Sequence, residues 1–154
     1  MLASAPEPLR EPCRPLFDAV GKRTLWVGDM PGAGQRVKLV VNTWLLGVIG
    51  ALGETVALAD ALDVDPSMFF DAIQGGPLDL PFAHVKGDEM LQRKYPSAFS
   101  VRMAAKDARL IDEAARDNGR TLRITEDVRR ALDRAAELGH ADEDLAALYE
   151  ALIA

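Results

Sequence analysis

Along the chain the apolar positions change period once, near the start. Thr24-Leu25-Trp26-Val27 is a short β-prone run between Gly21 and Gly28, the composition of a strand bounded by turns. Everything after it follows helical spacing. From about Pro31 to Leu62 the apolar residues Leu45, Ile49, Leu52, Val56 and Ala59 recur three or four apart, which predicts one long helix. Proline is tolerated in its first turn, where no N–H is needed. Gly47, Gly50 and Gly53 lie inside it. Each glycine costs a helix interior roughly 0.5–1 kcal/mol against alanine, so close approach of another helix is expected to offset it. A helix of this extent would be about 45 Å long. That exceeds what one small domain covers, and predicts a partner surface.

The remaining elements follow from punctuation. Asp65-Pro66 reads as an N-cap and a first-turn proline, opening a short helix through Ile73. Gly75-Gly76-Pro77 ends it, and Phe82 to Arg93 is helical. Tyr95-Pro96-Ser97 is a loop. Val101 to Asp117 is a helix with Met103, Leu110 and Ala114 inward, stopped by Asn118-Gly119. Thr125 is expected to cap a helix over Glu126 to Leu138 that stops at Gly139. Asp142 is expected to cap the last helix, ending near Ile153. Before the strand, four prolines between Ala5 and Pro15 predict a loose start, with Leu16 to Val20 a helix end. No second strand, repeat or low-complexity tract is legible. The fold class predicted is all-α, a helical domain built on one long helix with a short β-strand remnant near the N-terminus.

Composition narrows the functions. The chain has 154 residues, 49% hydrophobic and 27% charged, a globular balance sufficient for one core. Lys plus Arg is 18 against 24 Asp plus Glu, a net charge of −6. The pI is about 4.9. A nucleic-acid-binding face needs cations, so no nucleic acid partner is expected. Cys13 is the one cysteine, which excludes an internal disulfide and a cysteine cluster for metal, and fits a reducing cytoplasm. Met1 to Arg10 lacks the charged start and apolar core of a signal peptide. The uncharged run from Leu39 to Gly53 holds fifteen residues, short of the ~20 that span a bilayer, so it reads as a buried helix and no membrane is expected. Asp60, Asp63 and Asp65 lack the glycine and distal glutamate of a calcium loop. His84 and His140 have no ligand set around them, and no metal is expected.

Three groups could carry chemistry. Gly32-Ala33-Gly34 sits between a strand and a helix, as a dinucleotide fingerprint should. Its third glycine position is Val37, however, and no strand follows to complete a crossover unit. The plainer reading is a flexible turn that lets the helix begin. Lys38 and Asn42 are four apart and share a helix face. A lysine on an apolar helix can lose solvation, which lowers its pKa and fits it to exchange a proton with an alcohol oxygen. The plainer alternative is a lysine reaching for water beside an ordinary polar residue. Lys106-Asp107, early in its helix, is by itself a surface pair.

Taken together these pieces resemble a known family. Gly32-Ala33-Gly34-Gln35-Arg36-Val37-Lys38-Leu39-Val40-Val41-Asn42 is similar to the G-x-G-x-x-x-K-x-x-x-N segment of the β-hydroxyacid dehydrogenases, which include 3-hydroxyisobutyrate dehydrogenase and tartronate semialdehyde reductase. Phe99, Lys106 and Asp107 resemble the family's F-x₆-K-D pattern. Gly139-His140-Ala141-Asp142-Glu143-Asp144 resembles its C-terminal G-x-x-D-x-D run. The resemblance runs from about Gly21 to the end of the chain.

It implies a division of labour. In the family a Rossmann domain binds NAD or NADP, and a C-terminal helical domain, like that of 6-phosphogluconate dehydrogenase, supplies the catalytic lysine. Residues 1–29 would be the end of a Rossmann domain and residues 30–154 the helical substrate, catalytic and dimerisation domain. Lys38 would be the catalytic acid/base and Asn42 would orient the substrate. Lys106 would contact the cofactor, with Phe99 and Asp107 shaping the same cleft. The substrate implied is a small hydroxyacid or semialdehyde, and a homodimer through helices is expected. Two features depart from the family pattern. Val41 stands where many members have a second asparagine, and the stretch after Gly75 lacks serines. The alternative reading is a catalytically inactive helical dimerisation or scaffold module.

Overall fold

A computed structural model describes all residues, Met1–Ala154. The chain divides into two compact units, Met1–Asn42 and Thr43–Ala154.

The first unit holds more regular structure than the sequence predicts. Strand β1 (Leu2–Ala3) pairs in parallel with β2 (Leu25–Trp26), with Leu2 opposite Leu25 and Ala3 opposite Trp26. Between them helix α1 spans Glu7–Val20, so β1, α1 and β2 form a parallel crossover. No second strand was legible because β1 is two residues long, too short for any alternation. The loose start is also corrected: the proline-rich segment is helical. Pro6 is the N-cap and Pro8 lies in the first turn, where neither needs its N–H. Pro12 and Pro15 lie inside the helix. Phe17 packs edge-on against Trp26 with ring centroids 5.5 Å apart, and Arg10 lies over the same indole. These contacts hold α1 to β2.

The second unit is all helix. Helix α2 (Ala33–Ala61) begins in the first unit and runs on through this one. At 29 residues it is about 44 Å long. It is the one helix long and apolar enough to cross a membrane by length and composition. Its Leu46, Ile49, Leu52 and Val56 are buried in the core of the protein; Leu46 takes the place expected for Leu45, which is only half-buried. After it come α3 (Ser67–Ile73), α4 (Pro81–Gln92), α5 (Val101–Asp117), α6 (Arg123–Ala135), a 3-10 turn (Leu145–Ala147) and α7 (Leu148–Leu152).

Two glycines of α2 stand where other helices approach. A Cβ on Gly50 would lie 2.4 Å from Cγ2 of Val128 on α6, and one on Gly53 would lie 2.9 Å from Cδ1 of Leu152 on α7. Gly47 has nothing within 4 Å, so close packing explains two of the three. Helix α5 packs on α6, and α6 on α7.

Four side chains differ from expectation. Met103 and Leu110 of α5 are exposed; the inward face is Val101, Ala104, Ala105, Ala108 and Ile111, three of them alanines. Thr125 is not a cap. Helix α6 starts earlier, with Leu122 as N-cap, and Thr125 is buried on the stripe it shares with Val128, Leu132 and Ala135. Asp142 is not a cap either: it pairs with Arg102 at 2.6 Å and is largely exposed. The cap of the last helical segment is Asp144, whose side chain accepts from the Ala146 N–H.

Candidate functional site

In the first unit the site begins with a turn. Gly32 has φ +87, a conformation glycine adopts without strain, and α2 starts directly after it. Gly34 lies on the backbone of β1: a Cβ there would be 3.0 Å from the Leu2 carbonyl oxygen. The pair of glycines therefore turns the chain and seats the start of α2 against β1. Beside them is a cleft of about 450 Å³, lined by Leu2, Ala3, Ser4, Phe17, Gly34, Gln35 and Lys38. Its lining brings β1 and the residue after it together with Phe17 of α1 and the first turns of α2.

Lys38 is thus in the cleft wall, in the second turn of α2, and Asn42 follows one turn later on the same face. Lys38 is exposed and Asn42 half-buried, so the desolvation anticipated for the lysine is not found. Pairs of long and amide side chains one turn apart can address one small polar ligand from the same side.

In the second unit Phe99 is half-buried two residues before α5. Lys106 and Asp107 lie in the second turn of that helix. Asp107 falls on the buried stripe of α5 and is 3% exposed. The Lys106 ammonium, about half-exposed, donates to its carboxylate at 3.2 Å. The structure therefore sets Lys38 and Asn42 on one helix face and pairs Lys106 with Asp107, each couple within its own unit.

What the sequence did not reveal is the group behind Phe99. Asp144 is fully buried. Its Oδ1 accepts from the Lys86 ammonium at 2.8 Å and the Ala146 N–H at 3.1 Å. Its Oδ2 accepts from the Ala98 and Phe99 N–H groups at 3.0 and 3.2 Å. Lys86, itself buried, also donates to both oxygens of Glu89. Burial pushes the Asp144 carboxyl up, but the lysine and three amides outweigh it and hold it below the usual carboxylate range. Burial likewise opposes charge on Lys86, and its bonds to Asp144 and Glu89 more than offset this and raise it. Glu89 goes the other way: burial, with the like charge of Asp144, holds it above its ordinary value despite Lys86. One signal was present: an acidic residue directly before the apolar run Leu145-Ala146-Ala147, as a cap should stand.

A second cluster ties α4 to α7. Glu150 accepts from Arg93 Nε at 2.9 Å, from a second Arg93 nitrogen and from the Tyr95 hydroxyl. The arginine bonds foremost hold Glu150 below the usual range, against burial. Elsewhere His84 bonds Asp79 and His140 bonds Glu143. No group of three or more His, Cys, Asp or Glu is placed to hold a metal ion.

The donor set suits part of a dinucleotide and not all of it. The Phe99 ring offers an apolar surface and Lys106 a partly exposed cation. A diphosphate cradle needs a glycine the ligand can approach. Gly34 faces β1 instead, with the Leu2 carbonyl in the space a phosphate would need. Gly32 and Gly34 therefore do not form such a cradle in this fold.

One unit built on a long helix and another holding a parallel strand crossover with Lys38 in a cleft wall fit one class, the C-terminal domains of nicotinamide-dependent hydroxyacid dehydrogenases. Comparison with known proteins agrees. Residues 32–152 match the family model described as NAD-binding of NADP-dependent 3-hydroxyisobutyrate dehydrogenase, and the chain belongs to that family. It is 30% identical to glyoxylate/succinic semialdehyde reductase 1 of Arabidopsis thaliana, over 99% of this chain and 52% of that protein. It is 29% identical to the chloroplastic reductase 2 of the same plant, over 98% of this chain and 42% of that protein. Among solved structures, 3-hydroxyisobutyrate dehydrogenase from Salmonella typhimurium shares the fold, with a TM-score of 0.86 at 22% identity over 96% of this chain and 52% of that one. The chain spans about half the length of the curated relatives it matches. The family uses NAD or NADP.

Proposed function

We propose that the chain is the substrate-handling half of an NAD(P)-dependent oxidoreductase of small β-hydroxyacids, 3-hydroxyisobutyrate-like, and is inactive without a separate cofactor-binding half. The observation that supports this most is the position of Lys38, in the wall of the cleft beside β1 and one turn before Asn42, in a chain of a nicotinamide-using family. The bound nicotinamide supplies the exchange of hydride with the substrate carbon. The Lys38 ammonium or amine carries the proton of the substrate hydroxyl oxygen, taking it on oxidation and returning it on reduction. Asn42 orients the substrate through its amide. Lys106, Phe99 and Asp107 contact the cofactor, and the diphosphate cradle belongs to the other half.

The same reading makes the protein a cytoplasmic homodimer with no nucleic acid or membrane partner. Val40, Trp44, Gly47, Ala51 and Leu58 recur along one stripe of α2 at spacings of three, four and seven, and Leu62 follows just past its end. Trp44 is 69% exposed, Leu58 59% and Leu62 63%, an apolar seam suited to a second helix. That seam also supports a second reading, a helical association module without catalysis.

The two readings part in one assay. The chain alone, and the chain mixed with a dinucleotide-binding half from a relative, are incubated with 3-hydroxyisobutyrate and NAD or NADP while reduced cofactor is followed by absorbance. Turnover in the mixture only is expected. Turnover by the chain alone at ordinary enzyme rates would remove the need for a second half. No turnover in the mixture, with no cofactor-induced change in the NMR spectrum of this chain, would leave the association module.

A further inference from the structure

Buried carboxylates that satisfy several backbone donors usually fix a particular stretch of chain, and Asp144 does so for the stretch that carries Phe99. The segment around residues 95–102 is zipped onto residues 141–145. The Asp144 N–H donates to the Tyr95 carbonyl, Leu145 N–H to Phe99, Val101 N–H to Glu143 and Arg102 N–H to Ala141. Ser100 and Asp144 form an antiparallel bridge. Within this zipper the Ala98 and Phe99 N–H groups point at the single oxygen Oδ2, while Oδ1 faces Lys86 on α4 and the 3-10 turn. One carboxylate thus joins α4, the loop before α5 and the C-terminal segment. Helix α5 begins at Val101, so the same bonds set where its second turn, with Lys106 and Asp107, stands.

We propose that Asp144 is a positioning residue: through its Oδ2 it fixes Phe99 and the start of α5, and so presents Phe99 and Lys106 to the nicotinamide dinucleotide. The second half of this statement rests on the cofactor-contacting role given to those residues above; the first half does not. Lys86 and Glu89 are parts of the same device. Lys86 neutralises a carboxylate that would otherwise be buried unpaired, and Glu89 shares the lysine from the next turn of α4.

The test uses the full chain and two variants. Asp144→Asn keeps the shape but turns one acceptor into a donor. Asp144→Ser keeps a cap for the 3-10 turn but is too short to reach Ala98 and Phe99, and serves if the first variant does not fold. Amide exchange by NMR is expected to accelerate about tenfold or more at Ala98 and Phe99, with exchange in the α5–α6 core at Ala108 and Leu132 little changed. NADPH is then titrated with the complementing dinucleotide-binding half present. In the wild-type chain it is expected to shift the Phe99 and Lys106 resonances, and in either variant the apparent Kd should rise about tenfold or more. Gly50→Ala, which disturbs packing on α6 at a distance from this loop, is the control: it should lower stability and leave that Kd unchanged. Unchanged exchange at Ala98 and Phe99 in both variants would overturn the positioning role. A loss of NADPH binding in Gly50→Ala equal to that in the Asp144 variants would show a general stability effect and overturn it too. If wild-type resonances do not respond to NADPH at all, the cofactor reading fails while the exchange result still decides whether Asp144 fixes Phe99.

Discussion

Gly47, Gly50 and Gly53 sit in one helix and one sequence context, yet the structure predicts different outcomes when each becomes alanine. Alanine in a helix interior gains roughly 0.5–1 kcal/mol over glycine. At Gly47 nothing lies within 4 Å of the new methyl, so that gain is expected in full. At Gly50 the methyl would stand 2.4 Å from Val128 Cγ2, more than 1 Å inside the ~3.5–4.0 Å of an ordinary carbon contact. Val128 is buried and sits on a helix, where a β-branched side chain has essentially one χ1 rotamer, so it cannot turn aside. Relief must come from moving α6, at about 1–3 kcal/mol. The net expectation is a loss of about 1–2 kcal/mol, or roughly 2–8 °C in Tm for a domain of this size. At Gly53 the neighbour is the end of the flexible Leu152 side chain at 2.9 Å, and gain and cost should nearly cancel. Thermal unfolding of the three variants and of the double variant Gly50→Ala/Val128→Ala checks the order. The double variant should be less destabilised than the sum of its singles, by about 1 kcal/mol or more. A Gly50→Ala protein as stable as Gly47→Ala, or additive behaviour of the pair, would refute the close approach of α2 and α6.

Further expectations concern association, seating and pH. Trp44→Glu places a charge in the exposed seam of α2, and sedimentation at micromolar concentration should show a dimer for the parent and a monomer for the variant; a parent that is strictly monomeric contradicts the seam. Gly34→Ala should lift α2 from β1, because its methyl meets the Leu2 carbonyl at 3.0 Å, and the Lys38 resonances should move while those of Lys106 do not. Glu150 is held below its ordinary value of 4.5, chiefly by Arg93. A lowered carboxyl contributes stability that is complete above its unfolded value and lost as pH falls through its folded value. Tm should therefore fall on acidification below about pH 4.5, and Glu150→Gln should fall less steeply over that window. Glu89, held above its ordinary value by burial, has the opposite sign, so Glu89→Gln should not reduce the acid loss; if it flattens the curve as Glu150→Gln does, the assignment of the two carboxyls is reversed.

The helices from Leu46 onward were legible because each carries a long periodic stripe or a strong stop. Asp65-Pro66, Gly75-Gly76-Pro77 and Gly139 stand where the chain turns. The first unit was not legible for a physical reason. A strand of two residues has no alternation to read, and a helix with prolines inside it is held by tertiary contacts such as Phe17 on Trp26. Local preference alone does not specify it. At the site, Lys38 and Asn42 could be placed on one face from spacing. Asp144 could not be separated from Asp142 and Glu143 in an acidic run, because what distinguishes it is the convergence of Lys86, Ala98 and Phe99, partners far away in sequence. Thr125 is ambiguous for a related reason: a threonine near a helix start fits a cap and a core stripe equally well until the helix's first residue is known.

The claim on which the account turns is that the Lys38 nitrogen moves the proton of the substrate hydroxyl. Chemical rescue addresses it directly. Lys38→Ala is assayed with the complementing dinucleotide-binding half, a hydroxyacid and NAD or NADP, across increasing ethylamine. A loss of about 10²-fold or more on substitution and a recovery that rises with amine concentration are expected. A Lys38→Ala protein with nearly undiminished turnover would contradict it.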